Sequence, residues 1–234
     1  MYSLRRPAIL FVAVVIFAAT VSAQTGSQRR EMTVEESYLM ESIEIMIIRE
    51  TARSHSREQK MRSLDYIGEA LDRGNKSDEI RQTLEELSME GRRTVARERG
   101  RIVNNFPEVR RQAVRYLGQV GTEEARRSLI LVLQSENEPM VLQEAIKSLG
   151  NIGTNVNNET VANICWIMDR NINLNPDNVM ALETINALEK IARKNGGLNS
   201  PEAIQTLLRI SEGLFINPVK NLARQLLADM RSYR

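Results

Sequence analysis

Aromatic residues and cysteine are scarce in this sequence, and each scarcity excludes a class of protein. Aromatic residues make up 4% of the 234 residues, whereas 42% are hydrophobic, including ten methionines. Because strands are enriched in aromatic and β-branched residues, this composition favours packed helices. The single cysteine, Cys165, excludes an internal disulfide framework. We expect it to be a small buried apolar side chain; the alternative is a reactive thiol or an intermolecular bridge.

Residues that carry enzyme chemistry are also scarce. The one histidine, His55, lies between two serines at a predicted helix boundary, and neighbours in sequence do not make a Ser-His-carboxylate triad. A metal site needs a cluster of His, Cys or carboxylate ligands, and one His and one Cys far apart do not supply it. Glycine-rich phosphate-binding loops are absent from the sequence. We therefore expect no catalysis, no cofactor and no metal.

The first segment of the chain has the pattern of a secretory signal peptide. Arg5 and Arg6 precede an apolar run over residues 8–19, and small residues at 20–23 precede Gln24. This run is shorter than the roughly 20 residues that a helix needs to span a bilayer. We therefore expect a cleaved signal peptide rather than a membrane anchor, and no membrane span after cleavage.

Export sets the expected location and charge of the mature chain. A signal peptide at 1–23 and a flexible leader at 24–31 predict a periplasmic protein, with secretion as the alternative. The full sequence has 32 basic and 30 acidic residues, so removing two arginines leaves equal numbers. Net charge therefore gives no argument for nucleic acid binding.

One motif occurs twice, 32 residues apart, at Phe106–Gly121 and Glu138–Gly153. Pro, Val, Ala, Leu and two glycines recur at the same spacing. Val109, Ala113 and Leu117 fall at i, i+4 and i+8, which is one stripe of a helix, and the glycines suit a helix C-terminus. Such a recurrence is the signature of stacked supersecondary units.

The whole chain predicts about ten helices in five antiparallel pairs. Capping boxes at Thr33-Val-Glu-Glu36 and Ser56-Arg-Glu-Gln59 start two of the helices. The helical pattern weakens over residues 91–105. This stretch either extends the third helix or forms a long connector, and we favour a helix broken near Gly100. Since a single helix pair cannot bury both its faces, the pairs are expected to stack into an α-solenoid.

The stretch from Pro107 to Gly118 resembles the HEAT repeat, and it is closest to the short bilin-lyase-like variety. The resemblance is carried by Pro-Glu-Val-Arg-Arg-Gln-Ala followed by Leu-Gly. It is weaker in the unit at Pro176 and at Pro218–Leu227. The family's arginine is present at Arg110, whereas Leu142 and Lys220 replace it elsewhere.

This resemblance implies an all-α, HEAT/armadillo-like solenoid (superhelix) over residues 32–234. It also implies a binding scaffold whose second helices line the concave side. The chromophore chemistry of the bilin-lyase relatives does not transfer with the repeat. The function that we expect is an exported, non-catalytic adaptor between proteins in the cell envelope. The alternatives are a ligand-binding or lyase-like enzyme with a concave-face pocket, and a subunit of a larger envelope assembly.

The stretch Arg92–Arg127 holds ten arginines and four acidic residues. We expect Arg62, Arg115 and Lys147 at equivalent outward positions of three successive repeats, with the charge reversing at Glu183. Such a surface steers a protein partner that has an acidic surface. The alternative is that the arginines solvate a helix face and pair with nearby glutamates. The expected partner-binding residues are Arg62, Arg110, Arg111, Arg115 and Lys147. Without aromatics for base stacking, we expect no nucleic acid partner.

Overall fold

The computed structural model describes residues 33–93 and 95–232. The predicted signal peptide at 1–23 and leader at 24–31 lie outside the described residues. The chain divides into two compact units, Met1–Glu41 and Ser42–Arg234. The first described turns belong to the first unit, and every other feature below belongs to the second.

The described residues form ten α-helices and one short hairpin. The helices are α1 (Val34–Arg53), α2 (Arg57–Asp72), α3 (Asp78–Ser88), α4 (Pro107–Val120), α5 (Glu123–Ser135), α6 (Pro139–Ile152), α7 (Glu159–Leu174), α8 (Asn178–Lys194), α9 (Pro201–Glu212) and α10 (Asn217–Ser232). Strands β1 (Arg97–Glu98) and β2 (Arg101–Ile102) lie between α3 and α4. A 3-10 turn, Val156–Asn158, precedes α7.

The helices pack in neighbouring pairs, which we number as repeats 1 to 5. The second helices of the repeats form one row, in which each contacts the second helix of the next repeat: α2, α4, α6, α8 and α10. The first helices α3, α5, α7 and α9 form another row with contacts of the same kind. Helix α1 joins the stack through Ile48, whose carbonyl oxygen accepts a 2.9 Å hydrogen bond from Ser63 of α2. This arrangement of the described helices confirms the predicted all-α solenoid.

The second helix of each repeat buries the same positions. In α4 the buried stripe is Val109, Ala113 and Leu117, as the spacing predicts. The same stripe is buried in α6 at residues 141, 145 and 149, and in α8 at residues 180, 184 and 188. One continuous core of aliphatic side chains therefore runs through the stack.

Two glycines set how closely the second helices approach. A Cβ at Gly118 would lie 2.7 Å from Ser148 Cβ, and a Cβ at Gly150 would lie 2.6 Å from Ala187 Cα. Each facing residue belongs to the second helix of the next repeat. It lies two residues before the position that corresponds to the glycine. These contacts fix the register between neighbouring repeats, because no larger residue fits without displacing the facing helix.

The predicted helix over residues 91–105 is wrong, and the chain forms an antiparallel hairpin there. Arg97 pairs with Ile102, and Glu98 pairs with Arg101. The turn between them has positive φ at both Arg99 (48°) and Gly100 (82°). Positive φ at both central residues is the feature of a type I′ turn, whose twist suits a two-residue hairpin. Glycine at the second position allows this conformation at little steric cost.

Both predicted capping boxes are at helix starts, although only the first is reciprocal. Thr33 Oγ1 accepts from the Glu36 amide at 3.2 Å, and Glu36 Oε2 accepts from the Thr33 amide at 3.1 Å. Ser56 Oγ accepts from the Gln59 amide at 3.5 Å and donates to Glu58 at 2.8 Å. No helix in the described part of the chain is long and apolar enough to cross a membrane.

Candidate functional site

The connector within repeat 2 is much longer than the others. It spans residues 89–106, whereas the connectors within repeats 1, 3 and 4 span 54–56, 136–138 and 175–177. We call residues 89–106 the insert, and its residues 95–103 the hairpin. Connectors longer than about 12–15 residues are uncommon and are often functional loops, and insertions in repeat proteins often lie on the binding face. The insert is therefore the leading candidate for a binding site.

The hairpin exposes both basic and aliphatic side chains. Val95, Ile102 and Val103 are 41%, 45% and 40% exposed. The arginines of this region are also exposed, and among the described residues none of them makes an ion pair. They are Arg93, Arg97, Arg99 and Arg101. Glu98 is the single acidic residue of the hairpin, so the hairpin presents a net positive, partly apolar surface.

Buried charges hold one side of the insert. Glu136, which follows α5 and is 1% exposed, accepts a 2.6 Å hydrogen bond from Arg110 Nε. It also accepts from Arg92 Nε at 3.1 Å, so one carboxylate joins α4 to the start of the insert. Arg110 Nη1 donates to the Glu90 carbonyl oxygen at 3.0 Å and to Asn105 Oδ1 at 2.9 Å. Arg110 therefore contacts the insert near both of its ends.

A second pair, in which Lys60 is buried and Glu90 partly buried, holds the other side. Lys60 Nζ of α2 lies 2.9 Å from Glu90 Oε2, and Glu90 Oε1 accepts from Asn104 Nδ2 at 2.9 Å. Asn104 Oδ1 in turn accepts from the Ala96 amide at 2.9 Å, at the base of the hairpin. Lys60 and Arg110 occupy the same position in their helices, three residues before the buried Ser63 and Ala113. We call these linked residues the ionic anchor: Lys60, Glu90, Arg92, Asn104, Arg110 and Glu136.

The pKa of Glu136 indicates that the ionic anchor stabilises the charged form of this residue. Burial acts to raise this pKa, but hydrogen bonds from Arg92 and Arg110 and from the Glu138 and Asn137 amides lower it below its ordinary value. Donors that stabilise a carboxylate more than burial penalises it keep the group ionised. Glu136 is therefore ionised at neutral pH.

A cavity of about 540 Å³ lies beside the anchor. Its lining includes His55, Lys60, Glu86, Arg93 and Asn104, which come from the α1–α2 turn, α2, α3 and the insert. His55 is exposed, and in the described chain it makes no hydrogen bond to a serine or carboxylate. No group of His, Cys, Asp and Glu among the described residues is arranged to hold a metal ion.

The structure removes one of the predicted partner-binding residues from the surface. Arg110 is 0% exposed because its guanidinium group belongs to the ionic anchor. Arg111 and Arg115 are partly exposed, and the Nε atom of each lies 3.3 Å from a carboxylate oxygen of the buried Glu144. Arg62 and Lys147 are exposed and make no ion pair among the described residues. Partner binding by these four stays a prediction.

The predicted ladder of equivalent positions is also corrected. Because Gly68 faces Tyr116 as Gly118 faces Ser148, the position in α2 that corresponds to Arg115 is Asp65, not Arg62. By the same register the corresponding residue of α8 is Asn186, not Glu183. Arg115 and Lys147 remain equivalent. The basic positions on the second helices therefore form a pair rather than a row of three.

The stretch Arg92–Arg127 separates into two groups of arginines. Six pair with nearby glutamates, as the alternative interpretation of the sequence predicts: Arg92, Arg110, Arg111, Arg115, Arg126 and Arg127. The remaining four lie in the insert. Sequence reasoning missed this second group, although Gly100 was a signal for a turn between Glu98 and Arg101.

Cys165 is buried in α7, which confirms the expectation of a small buried side chain. Burial raises the pKa of its thiol to about 12. Since the thiolate is the reactive form, this thiol has little reactivity in the folded protein.

The comparison with known families agrees with this geometry. Residues 101–165 match the family model of HEAT repeats, from β2 to the middle of α7. The match supports a HEAT repeat protein. HEAT repeats are in general protein-interaction scaffolds and are typically non-enzymatic. A search of curated proteins found no match to this chain.

Proposed function

We propose that this protein is an exported, non-catalytic HEAT-repeat scaffold that docks onto another protein in the cell envelope. The observation that carries the proposal is the stack of helix pairs, of which residues 101–165 match HEAT repeats. A stack of this kind has an extended surface and is suited to contacts with another protein. The N-terminal sequence pattern supports export to the periplasm, with secretion as the alternative.

The expected partner has an acidic surface. Support comes from the exposed cations of the second helices, Arg62 and Lys147, and from the partly exposed Arg111 and Arg115. Four of the five arginines of the insert add to it, because they make no ion pair among the described residues: Arg93, Arg97, Arg99 and Arg101. Complementary charge speeds encounter and selects partners more than it adds affinity. Binding is therefore expected to weaken as the salt concentration rises.

The proposal is tested by localisation and cross-linking in the native host. Cells that produce an epitope-tagged chain are separated into cytoplasm, periplasm, membrane and medium, and the N-terminus of the recovered protein is sequenced. A mature chain that begins at Gln24 and cross-links to one defined envelope protein is the expected result. Cytoplasmic recovery would contradict export, and repeated recovery of monomer alone would contradict the scaffold.

A ligand-binding or lyase-like function is the second candidate, and the cavity favours it. A volume of about 540 Å³ lies within the range of small-molecule sites. The lining combines aliphatic residues such as Ala52 and Leu87 with His55 and Arg93. Mass spectrometry and absorbance of the purified protein test this candidate, because a stoichiometric bound molecule or chromophore would favour it over the scaffold.

A further inference from the structure

We propose that the hairpin, residues 95–103, is the element that docks an acidic protein surface, and that its partner presents carboxylates beside aliphatic side chains. This inference rests on the proposed scaffold function and specifies where the partner binds. The principal contact with the partner is then made by the hairpin, and not by the second helices as the sequence predicts.

The pairing of the strands puts a cation beside an aliphatic side chain on each face of the hairpin. Arg97 lies opposite Ile102, and directly opposed residues share a face. Val103 follows Arg101 by two positions, so these two share the other face. The guanidinium groups can each bind a carboxylate with two hydrogen bonds, while the aliphatic groups bury apolar area. A partner that matches both features is an acidic protein segment with interspersed aliphatic residues.

The charge of this element is not satisfied within the protein. Arg111 and Arg115 already share Glu144, at 3.3 Å each. The arginines at 93, 97, 99 and 101 make no ion pair among the described residues, although Glu98 lies opposite Arg101 in the hairpin. An acidic ligand therefore gains more from the hairpin than from Arg111 and Arg115, where it would compete with Glu144.

The anchor holds the hairpin in place before a partner arrives. Asn104 bonds the Ala96 amide at 2.9 Å, and Arg110 bonds Glu90 and Asn105 on either side of the hairpin. An element that is fixed in its binding geometry loses less conformational entropy on association. Arg93, Ala96 and Asn104 also line the cavity, which leaves a recess beside the hairpin for one side chain of the partner.

The composition of the hairpin favours protein over nucleic acid or lipid. Residues 95–103 contain no aromatic side chain, so bases have no platform to stack on and a lipid interface has no aromatic anchor. Val95, Ile102 and Val103 would lie unused against a phosphate backbone. Nucleic acid and anionic membrane are therefore outcomes that the test must exclude.

The test uses a fluorescein-labelled peptide of alternating Glu and Leu as the acidic probe, with the full mature chain and fluorescence anisotropy. The hairpin variant is Arg97→Glu/Arg99→Glu, which keeps the cross-strand pair of Glu98 and Arg101. The matched control is Lys190→Glu/Arg193→Glu, which reverses the same charge at two exposed positions of a second helix, α8. Circular dichroism and melting temperature establish that both variants are folded. Further probes are a Lys/Leu peptide, single-stranded DNA and vesicles of anionic phospholipid.

The expected result is at least about a tenfold loss of affinity for the Glu/Leu peptide in the hairpin variant, because two favourable charge contacts become repulsive. The same variant should gain affinity for the Lys/Leu peptide. The control should change by less than about twofold. Ile102→Ser should weaken binding in the wild-type background through the loss of apolar contact.

The inference is overturned if the control loses as much affinity as the hairpin variant, or if the wild type prefers DNA or vesicles to the acidic peptide. It is also overturned if the wild type does not bind the acidic peptide. That result leaves the scaffold function standing whenever cross-linking in the host still yields a defined partner. Conversely, hairpin-dependent peptide binding without any cross-linked partner would contradict the scaffold function alone.

Discussion

The second helices of the first three repeats are joined by buried charges, whereas those of the last three are joined by aliphatic contacts. Lys60 of α2 and Arg110 of α4 pair with carboxylates at the turn inside the next repeat. The same position is Leu142 in α6 and Ala181 in α8, and both are buried. Second helices thus stack on one another through two kinds of contact.

The difference follows the length of the connectors. Buried ion pairs carry a large desolvation cost, and aliphatic replacements of similar volume are often as stable. Charges are therefore not needed for stacking itself, as repeats 3 to 5 show. They occur where the insert must be held, since Lys60 and Arg110 both contact its residue Glu90. In the N-terminal repeats the charged contacts fix the position of a loop as well as the register of helices.

Removal of the Glu136 carboxylate is the change that should break this comparison most strongly. Glu136→Gln leaves Arg110 buried without a counter-ion, and breaking a buried pair typically costs about 3–5 kcal/mol. Urea denaturation should show a loss of that size in the free energy of unfolding. Glu124→Gln, at an exposed residue of α5, is the matched control and should change it by less than about 0.5 kcal/mol. A loss below about 1 kcal/mol for Glu136→Gln would show that the anchor is not essential.

The last three repeats, which we call the aliphatic half, depend on close approach of the helix backbones. We expect Gly150→Ala to lower the free energy of unfolding by about 1–3 kcal/mol. The new methyl group would lie 2.6 Å from Ala187 Cα, which forces α6 and α8 apart. Lys147→Ala, at an exposed position of α6, is the control and should be nearly neutral. Equal melting temperatures for the two variants would indicate that α6 and α8 are not in tight contact.

Acid should weaken the charged half more than the aliphatic half. The pKa of Glu136 in the folded state lies below its ordinary value of 4.5, so the unfolded chain binds the proton more readily. The stabilisation is complete above pH 4.5 and is lost as the pH falls through the depressed pKa. Free energies of unfolding measured from pH 7 to pH 3 should therefore fall more steeply in the wild type than in Glu136→Gln. Parallel curves would contradict the ionised state of Glu136.

The repeats were predictable from the sequence because their signals are local. The spacing of residues within a single helix is enough to recognise the stripe of Val109, Ala113 and Leu117. The Pro and Gly at the helix ends are local signals of the same kind. The all-α solenoid followed from the recurrence of that pattern, and the matched HEAT model at 101–165 covers the two clearest copies.

The site was less predictable because its contacts cross from one repeat to another. In the sequence, Arg110 has the pattern of a solvated helix residue. It is buried because it pairs with Glu136, which belongs to the next repeat. The position of Arg62 depends on a contact between Gly68 and Tyr116, which no local pattern reveals. The hairpin has two-residue strands, which are too short to give an alternating pattern, and only its Arg99-Gly100 turn marks it.

Site-specific photo-cross-linking in the native host tests the central claim most directly. A photoreactive amino acid is placed at Ile102 in the hairpin and, in a second strain, at Leu222, an exposed aliphatic residue of α10 that is 39% exposed. We predict one defined cross-linked protein with an acidic surface from position 102, lost in the Arg97→Glu/Arg99→Glu background, and no such product from position 222. The same product from both positions, or none from position 102, would contradict the account.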